Sequence, residues 1–235
     1  VTAFTLVAAM EDGGRRNGGK GLLGWIPKLP WGNPSFTAQV LAMMAFALGG
    51  ASGLINASAT VNLVVHNTSF IPGHFHMTVG TAVALTIMGV CYWLVPYLTG
   101  KALAFRRLAV AQGWTWFIGV VLFSRGQMAA GLEGQPRRLQ VSESTFIQDA
   151  WEFNNTLTAI GGSIMFISGV LFFVVMIGTW LNKKPASPVE LDMPISETIH
   201  GGSETPSVLD RIGLWLVVAV VDLVSLRLGG PSTLH

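Results

Sequence analysis

Two histidines separated by a single residue are the side chains best suited to chemistry in this chain, in the stretch Ile71-Pro72-Gly73-His74-Phe75-His76. On a helix, residues two apart point about 200° from one another. His74 and His76 therefore cannot chelate one metal from a single face, but each can bind a different centre on either side of the same helix. With side chains reaching roughly 5–6 Å from the axis, the two centres would lie on the order of 10–15 Å apart, with Phe75 close to the line between them. Histidine inside a membrane helix is rare and usually functional. The plain alternative is a pair of core histidines with satisfied hydrogen bonds.

Zinc wants three or four ligands converging on one point, and no Cys, Asp or Glu lies near the pair in sequence. Haem iron is held axially, most often by imidazole. One histidine per iron on opposite faces fits two haems flanking one helix. The propionates of a haem need charge partners, and adjacent arginines supply planar forks suited to carboxylates. Arg137 and Arg138 are such a pair, a solvated basic dipeptide being the other reading. His66 and Asn67 lie in the loop that feeds the histidine helix. They can hydrogen-bond a propionate or serve as ordinary loop residues.

The elements that must position these residues are membrane helices. The chain has 235 residues, 51% of them hydrophobic and 11% charged, against about 25% charged in soluble domains. No Lys, Arg, Asp or Glu occurs from Leu29 to Gly100, a stretch too long for a soluble domain to hide. An all-α polytopic transmembrane bundle follows. Full spans are expected at about Phe36–Ile55, Pro72–Leu98, Leu108–Leu132 and Phe153–Leu181. A fifth begins near Ile212 and is interrupted by Asp222 and Arg227. Pro72 falls in the first turn of its helix, where proline is tolerated. Gly73 would let a flat ligand approach His74, and Gly49, Gly50, Ala51 and Gly53 suit close helix contact. Glu11–Pro34 and Asn56–Ile71 read as connections, the first with Trp25 and Trp31 at headgroup level. Asn182–Asp210 reads as a flexible loop.

Charge sorts by loop. Arg15, Arg16, Lys20, Lys28, Lys101, Arg106, Arg107, Lys183, Lys184 and Arg211 fall on one side, and only Arg137 and Arg138 on the other. By the positive-inside rule the first side is cytoplasmic, so His74, His76 and the arginine pair face outward. Arg125 and Asp222 lie within spans, where such residues pair or line a polar cavity. Cys91, the only cysteine, excludes an intrachain disulfide and a thiolate cluster. Val1–Met10 is apolar but too short to span a bilayer, and it lacks the marks of a signal peptide. It reads as the last half of a helix, and residues 1–235 as the C-terminal part of a larger subunit.

The run Val64-Val65-His66-Asn67-Thr68-Ser69-Phe70-Ile71-Pro72-Gly73-His74-Phe75-His76 resembles subunit I of the haem–copper oxidases, nearest the B-type branch of bacterial and archaeal cytochrome c oxidases. Tyr92-Trp93-Leu94-Val95-Pro96-Tyr97-Leu98-Thr99-Gly100-Lys101 and Gly134-Gln135-Pro136-Arg137-Arg138 match as well. The resemblance implies that His74 is the proximal ligand of a high-spin haem where oxygen binds, and His76 an axial ligand of a low-spin haem that relays electrons. It implies that Arg137 and Arg138 hold propionates, that His66 and Asn67 sit near those of the high-spin haem, and that Thr2 and Thr5 belong to a proton pathway. The implied activity is reduction of oxygen to water coupled to proton translocation. The implied partners are a cytochrome c or similar donor, oxidase subunit II and the bilayer of a bacterial or archaeal cell membrane, with no nucleic acid.

The family's copper ligands and the other low-spin haem ligand belong to helices upstream of Val1. Asn62 stands where a relative has Asp, and Leu139 where relatives often have Tyr. A nitric oxide reductase of the same superfamily, a non-catalytic haem relay and a cofactor-free transporter are the rival classes. With the copper ligands upstream, the 235-residue chain by itself is expected to consume no oxygen; an oxygen electrode trace above background for the isolated chain would contradict this.

Overall fold

The computed structural model describes residues 2–139, 147–187, 214–218 and 221. The chain divides into two units, Val1–Asp192 and Met193–His235. Residues 214–218 and 221 of the second are helical; Asp222, Arg227 and most of the expected fifth span lie outside the described residues.

Among the described residues of the first unit, four helices are long and apolar enough to cross a membrane: Pro34–Ala57, Phe70–Thr99, Arg106–Leu132 and Ala150–Leu181. Each agrees with its sequence expectation to within three residues at either end. The helices are α1 (Thr2–Arg16), α2 (Pro34–Ala57), α3 (Ala59–Val65), α4 (Phe70–Phe75), α5 (Ala82–Thr99), α6 (Arg106–Leu132) and α7 (Ala150–Leu181). A π-helical turn at His76–Thr81 joins α4 to α5, so the second span is one 30-residue rod with a local irregularity. Asn33 caps α2, its Oδ1 accepting from the amides of Ser35 at 3.0 Å and Phe36 at 3.3 Å, with Pro34 at the first helical position. Gly100, at φ 64°, ends α5 in the left-handed conformation that glycine adopts without strain.

Two connections carry more helix than their composition suggests. The first helix runs through Glu11 and Asp12 to Arg16, with exposed ion pairs Glu11–Arg15 and Asp12–Arg16 at 2.6 and 2.7 Å along it. Each puts the acid four residues ahead of the base, the favourable order on a helix. The second connection holds α3, a short helix set off from α2 at Ser58, whose ψ of 120° breaks the rod.

Neighbouring spans run antiparallel. Ala38 of α2 lies beside Gly89 of α5, while Gly49 of α2 lies beside Thr78 at the other end of that span. On α6 and α7, Gly119 approaches Gly161 and Met165, and Gly126 approaches Thr158. Small residues let helix backbones close up where lipid offers no hydrophobic drive. Apolar clusters (Ala38, Leu41, Ala42 and Leu85; Tyr92, Ala109 and Val175) fill the centre.

The bundle has two chemically distinct ends. At one, Arg106 Nε donates to Gly32 O at 3.1 Å, Ala102 N to Lys184 O at 3.0 Å, and Lys101 Nζ to Trp180 O. At the other, Trp151 Nε1 donates to Glu133 O at 3.1 Å, and Ser69 N to Gln135 O at 2.8 Å.

A buried polar tie crosses three spans. Tyr92 Oη donates to Gln112 Oε1 at 2.8 Å, Gln112 Nε2 donates to Ser168 Oγ at 3.0 Å, and Ser168 Oγ returns to Gln112 O at 2.8 Å. Gln112 and Ser168 are fully buried. Gln112→Leu removes the side-chain hydrogen bonds to Tyr92, Ser168 and Met88 Sδ and is expected to destabilise the bundle by about 1–2 kcal/mol, read as a lower midpoint in reversible detergent unfolding.

Candidate functional site

His74 and His76 project from the same rod toward different neighbours. The His74 ring faces α2, where Nδ1 lies 3.0 Å from Gly49 O and 2.9 Å from Ser52 Oγ. The His76 ring faces α6 and lies 4.6 Å from the Phe123 ring, centroid to centroid. Its Nδ1 is 2.7 Å from Pro72 O on its own helix. Phe75 sits between them, 51% exposed, its ring centroid 5.4 Å from that of His74. The divergence read from helical spacing is present.

The carbonyl partners decide where the protons are. A backbone carbonyl only accepts, so a ring nitrogen bonded to one carries hydrogen. Gly49 O and Pro72 O therefore put the proton of each neutral ring on Nδ1. Each Nε2 is left with its lone pair, and neither has a hydrogen-bond partner among the described residues. Two imidazoles in the tautomer that ligates through Nε2 stand on two faces of one helix.

The local sequence produces this arrangement. Pro72 O accepts both the His76 amide and the His76 ring, which ties the ring to the helix wall. The π-helical turn begins at His76, and such turns concentrate at functional sites. Thr78 Oγ1 donates to His74 O at 3.1 Å. On α2, Gly49 and Gly53 stand one turn apart: a Cβ on Gly49 would fall 3.0 Å from Thr78 N, and one on Gly53 3.1 Å from His74 Cε1. The small-residue stripe seen in the sequence is the seat of the His74 ring. The role expected for Gly73 is corrected. It is buried against α6, where a Cβ would meet Gln127 Cβ at 3.0 Å and Met128 N at 3.0 Å. Gly73 admits a helix rather than a flat ligand.

Two loops join at the polar end. Arg137 N donates to Asn67 O at 2.9 Å and Ser69 N to Gln135 O at 2.8 Å, closing a bridge between Thr68 and Pro136. Ser69 Oγ donates to Gln127 O at 2.8 Å. Asn67 at φ 60° and Arg138 at φ 62° are left-handed non-glycine residues, one in each loop, a conformation that costs energy and clusters at functional positions. The loops carrying His66, Asn67, Arg137 and Arg138 are thus brought together through their backbones, with all four side chains exposed.

Other sequence candidates stand apart. Thr2 and Thr5 lie in the opening turns of α1, with Thr5 exposed. Arg125 is exposed on α6 and makes no salt bridge among the described residues. No group of three His, Cys, Asp or Glu able to hold a metal ion occurs among the described residues. Ser52 and Phe123, which touch the two rings, carry no sequence signal beyond Ser52's place inside the Gly49–Gly53 stripe.

The comparisons with known proteins concern the chain as a whole. Residues 2–164 match the family described as cytochrome c and quinol oxidase polypeptide I. The chain is 41% identical to cytochrome c oxidase subunit 1 of Thermus thermophilus over 232 residues, which is 95% of this chain and 41% of that one. It is 33% identical to a probable quinol oxidase subunit 1 of Staphylococcus haemolyticus, covering 66% of this chain and 23% of the relative. A heme-copper terminal oxidase dimer solved by cryo-electron microscopy superimposes with a TM-score of 0.63 at 33% identity, over 80% of this chain and 33% of that one. The chain thus spans about two fifths of the Thermus subunit. With a family match over residues 2–164 and a Thermus relative 41% identical over 95% of this chain, the chain belongs to subunit I of the haem–copper oxidases, the cytochrome c and quinol oxidase polypeptide I family.

Proposed function

We propose that this chain would supply one histidine to each of two haem irons in a terminal oxidase subunit that reduces oxygen to water, His74 for the high-spin haem and His76 for the low-spin haem. The observation that carries the reading is the pair of Nδ1–carbonyl hydrogen bonds, which leave two Nε2 lone pairs on opposite faces of one helix. The residues fit the group. Gly53 leaves the edge of the His74 ring uncovered where a Cβ would stand 3.1 Å away. One turn further along α2, the buried Asn56 Oδ1 has no partner.

When bound, two haems and a copper supply the electron transfer and the oxygen reduction, the copper ligands lying outside this chain. The chain's own residues hold and orient. Pro72 O and Gly49 O fix the ring tautomers. Phe75 keeps the space between the two histidine faces apolar. Arg137 and Arg138 neutralise propionates at the polar end, held beside His66 and Asn67 by the paired loops. Thr2 and Thr5 contribute hydroxyls to a proton path along α1.

The distribution of basic residues supports an outward-facing polar end, with the Lys101–Arg106 end cytoplasmic. The greater identity and coverage of the Thermus cytochrome c oxidase relative favours a cytochrome c-type donor over quinol. Subunit II and the bilayer complete the assembly, and the coupled movement is proton translocation.

The test uses the complete subunit. His74→Ala is expected to lower the haem content from two to about one and to abolish the carbon monoxide difference spectrum. His76→Ala is expected to remove the low-spin haem instead. Retention of both haems by both variants would sink the assignment. A carbon monoxide spectrum absent from the unaltered oxidase would favour an electron relay.

A further inference from the structure

His74 and His76 are the same type of ligand with different anchors. His76 is held within its own helix, by Pro72 O at 2.7 Å, with Phe123 against its ring. His74 is held between helices. Its Nδ1 reaches two acceptors on α2, Gly49 O at 3.0 Å and Ser52 Oγ at 2.9 Å. Ser52 itself donates to Gly49 O at 2.6 Å. With its hydroxyl proton so committed, the lone pairs of Ser52 Oγ receive the ring N–H. Ser52 is 7% exposed, so water does not compete for that position.

We infer that Ser52 is a positioning residue for His74, setting the plane of the ring and the basicity of its Nε2 without affecting His76. The inference rests on the proposed haem ligation by His74. Two physical points carry it. A hydrogen bond accepted from the far nitrogen of a ligating imidazole orients the ring and raises its donor strength, and here two acceptors share that proton. The ring edge also lies over Gly53, where no Cβ stops rotation about the bond from Cβ to the ring. A single acceptor at Gly49 O fixes one direction and leaves the ring free to swing about it. The second acceptor removes that freedom. His76, packed on Phe123, needs no such support. Ser52 therefore couples one ligand, and one only, to the position of α2.

The test compares Ser52→Ala with Ser52→Thr in the complete oxidase. Resonance Raman of the reduced enzyme reads the iron–histidine stretch of the five-coordinate haem alone. In Ser52→Ala this band is expected to move to lower frequency and broaden. The midpoint potential of the same haem should rise, because a less basic ligand stabilises the oxidised iron less. The low-spin haem should keep its absorption band and potential. Ser52→Thr, which keeps the hydroxyl, should restore both readouts toward those of the unaltered enzyme. An unchanged band and potential in Ser52→Ala would overturn the inference, as would equal shifts at both haems. An iron–histidine band that survives His74→Ala would instead overturn the ligand assignment on which it rests.

Discussion

The contact between the His74 ring and the backbone of α2 is the constraint on which the site depends. It requires two helix backbones to approach closely enough for an imidazole to reach the Gly49 carbonyl. Gly49 and Gly53 permit the approach, since a side chain on either would meet Thr78 or the ring itself. On the far side of the same rod, Gly73 permits the equivalent approach to α6. The histidine helix is thus held between two neighbours at the level of its histidines. The rings point outward from a rod whose position is set by glycines rather than by large interlocking side chains.

Rigidity elsewhere serves the same end. Tyr92, Gln112 and Ser168 join α5, α6 and α7 through hydrogen bonds that exclude water. In an apolar medium such groups cannot be left unpaired cheaply. The glycine contacts along α6 and α7 hold the remaining pair together. At the polar end, the bridge between Thr68 and Pro136 sets two loops side by side and offsets the cost of the left-handed residues Asn67 and Arg138. Those residues turn the chain where the loops carrying His66 and the arginines meet.

The two histidines differ in what they report on. His76 is anchored by the first turn of its own helix, so its geometry travels with that helix. His74 is anchored on another span, so any shift of α2 against the histidine rod is felt at its ring. A pair of histidines two positions apart in sequence thereby has one ring fixed on its own helix and one that follows a neighbouring helix.

How much of this was legible in the sequence follows from the range of the forces involved. The spans could be read because bilayer thickness imposes a length and a composition on each helix independently. The divergence of His74 and His76 could be read because helical periodicity is local. The motif around them led to the family for the same reason: it is a contiguous run. The added turns of α1 carry ion pairs four residues apart in a stretch that also holds Gly13 and Gly14. What only the tertiary structure decided are contacts between residues far apart in the chain. The acceptors that place a proton on His74 Nδ1 lie 22 and 25 residues away. The surface that needs Gly73 to be small is on another span, and the loop beside Asn67 comes from the far end of α6. Sequence alone determined that two imidazoles would face opposite ways in a membrane. Packing decided which nitrogen of His74 faces out, because a tautomer is selected by its hydrogen-bond partner, and for His74 that partner is on a different helix.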